Sequence, residues 1–166
     1  ADLKSIAAAR RCADTAFEAY QQFLGTEPSK IDAIVDAMAA AIEPEVNRIV
    51  ELAVAETGYG NAKDKRIKDM FNAVSVADYL RDVTTLGMLW KDEATKVAAF
   101  GEPMGLVAAL IPVTNPTSTI IYKVLSAVKA GNAIVCAPHP RALRCGLEVT
   151  KLLANVAAQM GAPKGL

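Results

Sequence analysis

The residues that could carry chemistry gather in two short polar stretches, Thr114-Asn115-Pro116-Thr117-Ser118 and Pro138-His139-Pro140-Arg141. Asn115 brings a side-chain amide, and its place before Pro116 also suits the N-cap of a helix. Thr117 and Ser118 put hydroxyls where the first helical turn leaves N–H groups unsatisfied, although exposed helix N–H groups also favour an anionic ligand. His139 is the only histidine, and imidazole titrates in the range that suits acid–base work. Boxed between two prolines, it fits a shape or hydrogen-bonding role better. Arg141 presents a planar fork of donors that matches phosphate oxygens. The cysteines, Cys12, Cys136 and Cys145, have no evident activating base, and Cys136 falls in an apolar run typical of inert thiols. There is no metal-ligand spacing and no GxGxxG loop.

Both stretches need a frame. Leu106–Ile111 is nearly all apolar, as in a strand of a parallel sheet buried on both faces. It breaks at Pro112-Val113-Thr114-Asn115-Pro116, after which Ile120, Ile121, Val124, Leu125 and Val128 recur at helical spacing. Gly131-Asn132 ends that helix, and Ala133–Cys136 reads as a second strand. Ala137–Arg141 then turns into a helix over about 142–160 with Leu143, Leu147, Val149, Leu152, Leu153 and Val156 inside. Gly161 and Pro163 stop it. The result is a βαβα unit, and both polar turns fall at the carboxyl ends of its strands, where such folds bind ligands.

Upstream, residues 1–82 read as helices. Leu3, Ile6, Ala13, Phe17, Tyr20 and Leu24 mark the inward face of the first, and Ile31, Ile34, Val35, Met38 and Ile42 that of the second. Val46, Ile49, Val50 and Ala53 follow Pro44 in a third that stops at Thr57-Gly58. Asn61 caps a fourth, with Ile67, Met70, Phe71, Val74 and Leu80 inside. The charges Lys63, Asp64, Lys65, Arg66, Lys68 and Asp69 read as a solvated face of mixed sign. Asp82–Leu86 and Lys96–Phe100 read as strands around a turn at Gly87–Asp92.

Composition bounds the function. With 52% hydrophobic and 22% charged residues, and eighteen basic balancing eighteen acidic, nothing points to nucleic acid or an anionic membrane. The longest apolar stretch stops at Pro112, well short of a membrane span. Ala1-Asp2-Leu3-Lys4 lacks a signal peptide's layout, so a reducing, cytoplasmic setting is the default, with a bacterial microcompartment left open. Two parallel strands with one crossover cannot bury both faces. The reading therefore expects a piece of a longer protein, or a truncated product whose missing strands come from a partner.

Three segments together carry a resemblance: Glu102-Pro103-Met104-Gly105, Ile111–Thr119 with its TNPTS, and Asn132–Ala142 with its PHPRA. They closely resemble the CoA-acylating branch of the aldehyde dehydrogenase superfamily, which oxidises an aldehyde to an acyl-CoA with NAD+ or NADP+. The resemblance implies an α/β fold. Residues 1–82 would be the N-terminal helical segment of the cofactor domain, 83–103 strands of an oligomerisation element, and 104–166 the first part of a Rossmann-like cofactor-binding domain. The catalytic domain, with the family's nucleophilic cysteine, would lie outside this chain.

The resemblance also implies roles. Asn115 occupies the position whose amide donates to the oxyanion formed when the thiolate attacks the aldehyde. Ile111, Pro112, Val113 and Thr114 line the turn beneath a nicotinamide ribose. Pro138, His139, Pro140 and Arg141 lie near the adenine ribose, a pocket the CoA adenine would share. The hydrolytic branch has a lysine and a glutamate at the positions of Ala137 and Pro140, so their absence leaves NAD against NADP open. Arg141 would reach a phosphate of NADP or CoA. The partners implied are a small aldehyde, CoA and further copies of the chain, as a dimer or tetramer, with no metal. The alternatives are a non-acylating aldehyde dehydrogenase, a truncated assembly module and a free-standing nucleotide-binding domain.

Overall fold

The computed structural model describes residues 2–166. Helices α1 (Asp2–Phe23), α2 (Pro28–Ala40), α3 (Ile42–Thr57) and α4 (Ala62–Met70) come first. A π-helical turn (Phe71–Val76) joins α4 to α5 (Ala77–Arg81). A hairpin, β1 (Gly87–Asp92) and β2 (Val97–Gly101), precedes β3 (Leu106–Ile111), α6 (Pro116–Lys129), β4 (Ala133–Pro138), a 3-10 turn (Pro140–Ala142) and α7 (Leu143–Gln159).

β3 and β4 pair in parallel, in register from Leu106 opposite Ala133 to Ile111 opposite Pro138. The core forms where α2, α3, α6 and α7 converge on one face of this pair. Ile34, Ile42, Ile120, Ile121, Leu125 and Val149 are completely or almost completely buried there. Each such side chain stabilises the fold by about 1.5–3 kcal/mol, which makes this cluster the structural anchor of both strand ends. Two glycines set the frame at close quarters. Gly58 ends α3 in the left-handed region, φ +72°, where its N–H bonds the Val54 carbonyl. Gly146 lets α7 lie against the second turn, since a Cβ there would come within 3.0 Å of Pro138.

Several expectations need correction. β3 is not covered on both faces: Ala109 and Ile111 point into the core while Leu110 is 77% exposed. α1 turns Ala16, Ala19 and Phe23 inward, leaving Leu3, Ile6, Phe17 and Leu24 exposed. Small side chains let this helix approach β3 and β4 closely, and Tyr20 packs over Gly105. In the α4–π–α5 run the inward positions are Lys65, Asp69, Ala73 and Ala77, while Ile67, Phe71 and Val74 face out. Leu143 and Leu147 on α7 are exposed as well.

The strand placed over 82–86 is instead a tether, with Thr85 Oγ1 donating to the Lys129 carbonyl at 2.6 Å. The stretch expected to turn, Gly87–Asp92, is itself a strand, antiparallel to β2 with a bulge between Met88 and Trp90. The reversal falls at 93–96. There Asp92 accepts from the Ala94 N–H at 2.8 Å and the Thr95 hydroxyl at 2.6 Å, and Lys96 adopts φ +57°.

Candidate active-site edge

The two polar turns meet at one edge. Ile111 and Pro138 are the last register pair, and beyond them the His139 N–H donates to the Ile111 carbonyl at 3.1 Å. Ile111 itself is buried, so it floors the edge. Pro112 and Thr114 are exposed above it, and Val113 packs against Ala53, Ala142 and Cys145.

The first turn is gripped by α4 and the π turn. Lys65 Nζ donates to the Thr114 carbonyl at 2.8 Å, and Lys68 Nζ donates to Asn115 Oδ1 at 3.0 Å. The Thr117 hydroxyl donates to Asp69 Oδ1 at 3.0 Å, and Asn72 Nδ2 donates to the Ser118 carbonyl at 3.0 Å. The residues at 65 and 69 do not belong to a solvated face. Lys65 is 4% exposed and Asp69 1% exposed. Each finds one polar partner in the turn, while Asp69 Oδ2 is buried without a hydrogen bond, which disfavours the charged carboxylate. Burial pushes the Asp69 carboxyl up to about 6, with the Thr117 hydroxyl and the Lys65 charge opposing it. Burial likewise lowers the Lys65 ammonium, against the pull of Asp69.

Asn115 stands at the N-cap position of α6, yet its side chain makes no capping bond. Its carbonyl begins the helix, accepting from the Thr119 N–H at 3.2 Å. The amide instead turns to Lys68, and Nδ2 lies 3.5 Å from Thr114 Oγ1, a long contact. Lys68, Asn115, Ser118 and Thr119 line one open groove with Ile67 and Phe71.

The second turn is built differently. His139 Nδ1 accepts from the Arg141 N–H at 3.1 Å and so caps the 3-10 turn, leaving the imidazole a structural job. Arg141 Nη2 donates to the Thr57 carbonyl at 3.2 Å, and the guanidinium lies 5.6 Å from the centre of the Tyr59 ring. Pro140 and Arg141 remain exposed. Glu56 closes the amino end of α7, accepting from the N–H groups of Cys145 at 2.7 Å and Arg144 at 2.8 Å. Burial raises the Glu56 carboxyl, but these two donors outweigh it and the net shift is downward. With those N–H groups taken, a phosphate at this edge must look to Arg141 rather than to α7.

No cysteine joins the edge as a nucleophile. Burial and the neighbouring Glu56 push the Cys145 thiol up to about 12, and burial raises Cys136. Cys12 lies along a separate groove with Cys136 and Thr150. Among the described residues no cluster could hold a metal ion, and no helix is long and apolar enough to cross a membrane.

The geometry brings together all the positions singled out by sequence: Ile111–Asn115 and Pro138–Arg141. Sequence reasoning missed Glu56, Lys65, Lys68, Asp69 and Asn72. One signal could have found two of them. Lys65 and Asp69 continue the four-residue phase of Ala73 and Ala77, which is the buried one.

Comparison with known proteins gives the edge its setting. The family model described as "Aldehyde dehydrogenase family" matches residues 1–166. The aldehyde-alcohol dehydrogenase of Clostridium acetobutylicum is 37% identical over 150 residues, 90% of this chain but 17% of that protein. An acetylating aldehyde dehydrogenase from Geobacillus thermoglucosidasius superposes with a TM-score of 0.96 at 44% identity. That match covers 99% of this chain and 36% of the other. Two more distant structures superpose at a TM-score of 0.79 and cover 94% of this chain and 35% of their own. One, 27% identical, is an engineered glycolyl-CoA reductase with bound NADP+. The other, 28% identical, is a propionaldehyde dehydrogenase of Rhodopseudomonas palustris with bound CoA and an acylated cysteine. The chain thus spans about a sixth to a third of the length of the relatives it matches.

Proposed function

Since the chain belongs to the aldehyde dehydrogenase family, in its CoA-acylating branch, we propose that it supplies the cofactor edge and the oxyanion donor of an enzyme converting an aldehyde and CoA to an acyl-CoA. One observation carries this reading: Asn115 leaves its capping role unfilled and holds its amide oxygen on Lys68, so its N–H groups, engaged only by a long 3.5 Å contact with Thr114 Oγ1, can serve a developing oxyanion. In the intact enzyme a cysteine from outside this chain attacks the aldehyde carbonyl. As the carbonyl carbon becomes tetrahedral, negative charge gathers on its oxygen. A fixed donor in a dry site stabilises that charge far more than water does.

NAD(P)+ supplies the hydride acceptor and CoA the thiol that takes the acyl group. This chain fits them at the paired strand ends. Pro112–Thr114 offers a ledge for a nicotinamide ribose, and Pro138–Arg141 a second ledge for the adenine ribose. The remaining N–H groups of Arg141 would meet a phosphate there. The exposed faces of Met88, Trp90, Val97 and Phe100 on the β1–β2 hairpin support a role for residues 83–103 in assembly with further copies, since a lone hairpin with such a surface is marginal in water.

The test uses the full-length enzyme. NAD(P)H formation from a short aldehyde should require CoA, and equal rates without it would remove the acylating assignment. N115A should lower turnover by about 10²–10³-fold while cofactor affinity stays within about twofold. Unchanged turnover would defeat the oxyanion role.

A further inference from the structure

Lys68 lies on α4, far in sequence from either polar turn, yet it holds the oxygen of the Asn115 amide at 3.0 Å. The two ends of that amide are chemically opposite: oxygen accepts and nitrogen donates. An ammonium has three donors and no acceptor. The contact therefore selects one of the two amide orientations, with Oδ1 on Lys68 and Nδ2 turned away from it. Flipping the amide would set N–H groups against an ammonium, losing a charge-assisted bond and adding a like-polarity clash. Nδ2 keeps only the 3.5 Å contact with Thr114 Oγ1, too long to compete with a ligand oxygen. A cation on the oxygen also polarises the amide and strengthens its N–H groups as donors.

The frame that aims Lys68 is rigid on both sides of Asn115. Lys65 holds the carbonyl of residue 114, Asp69 holds the hydroxyl of residue 117, and Asn72 holds the carbonyl of residue 118. Four side chains from about two turns of one helical run thus grip four of the five residues from 114 to 118, and only Lys68 among the four reaches the amide. We propose that Lys68 is a positioning residue, fixing and polarising the Asn115 amide so that Nδ2 faces the aldehyde oxygen. This rests on the reading of Asn115 as the oxyanion donor, and the test separates the two.

Steady-state kinetics on the full-length enzyme would compare wild type with K68M, K68Q, N115A and the K68M/N115A double variant. K68M should lower kcat about 10-fold, with the KM for NAD(P)+ within about twofold, as for an interaction felt mainly in the transition state. K68Q retains an N–H donor for Oδ1 and should recover most of that loss. In the N115A background, K68M should add less than about twofold, because a residue acting through the amide has nothing left to act on. A K68M effect as large there as in wild type, an unchanged kcat, or a K68M protein with a collapsed thermal midpoint would each overturn the positioning role. If N115A alone keeps full turnover, the reading of Asn115 falls first and this proposal with it.

Discussion

Two turns leave the same sheet edge one strand apart, and they are held by opposite means. The turn at 112–118 is clamped by long side chains reaching from another helix, two of them ionisable and buried. The turn at 138–142 is held at its caps: His139 caps the 3-10 turn from within, and Glu56 reaches across from α3 to take the N–H groups of Arg144 and Cys145 at the start of α7. A clamp that caps helix ends fixes backbone shape and little else. A clamp made of charges fixes shape and also sets the electrostatics of whatever it holds. The difference matches the tasks proposed for them. The second turn has to offer a ledge, whereas the first has to present one amide with a defined polarity.

The comparison breaks first at Lys65. K65M strips the Thr114 carbonyl of its partner and removes one of the two ammonium groups that act on buried Asp69. Leaving the turn carbonyl unpaired costs about 1–3 kcal/mol, and the weakened compensation of buried Asp69 adds to it, so the thermal midpoint of the full-length protein should fall sharply and turnover with it. If K65M is neutral in both, the first turn is held by packing and the contrast is empty. E56A probes the other clamp. Two N–H groups at the start of α7 lose a charged acceptor, which should cost about 2 kcal/mol in the thermal midpoint. Turnover per folded enzyme should stay near wild type, because Glu56 touches no part of the first turn. Loss of turnover without loss of stability would reverse the division of labour.

Most of this frame was readable from spacing. The stripes of α2 and α6, the stop at Gly58, the cap at Asn61 and the pairing of two strand–turn–helix units all stand as the apolar periodicity places them. The misread faces share a cause. On α1 and on the π turn, alanines take most of the inward positions and several large apolar residues face outward, so a reading weighted by side-chain size picks the wrong side; Leu80 on α5 packs on the core as expected. The hairpin was displaced because Val83-Thr84-Thr85 is rich in β-branched residues. Thr85 uses its hydroxyl on α6 instead of joining a ladder. The role proposed for Asn115 was suggested only by the motif around it. Its support was not visible, because Lys65, Lys68 and Asp69 lie nearly fifty residues upstream and charged runs on helices are ordinarily solvated. Only the fold brings them to the turn.

Asp69 gives the smallest and sharpest test of the charged clamp. Its carboxyl is pushed up to about 6 in the folded protein by burial, against roughly 3.9 for an unfolded chain. The folded state therefore binds the proton more tightly than the unfolded one. Stability from this group is fully present below about pH 4, falls as pH rises through about 6, and is flat beyond. The groups facing it are the Lys65 ammonium, the Lys68 ammonium and the Thr117 hydroxyl, and the last keeps an acceptor in D69N. Because the amide does not ionise, D69N should erase the slope between about pH 4.5 and about pH 7 in the thermal midpoint of the full-length protein. The net gain above about pH 7 should be only on the order of 1 kcal/mol, since buried Lys65 loses its counter-charge and offsets part of the relief. A D69N protein with the wild-type pH slope would place the titration elsewhere. The first turn would then owe its hold to Lys65 and the hydrogen-bonding groups alone, and its difference from the second turn would shrink to one buried ammonium.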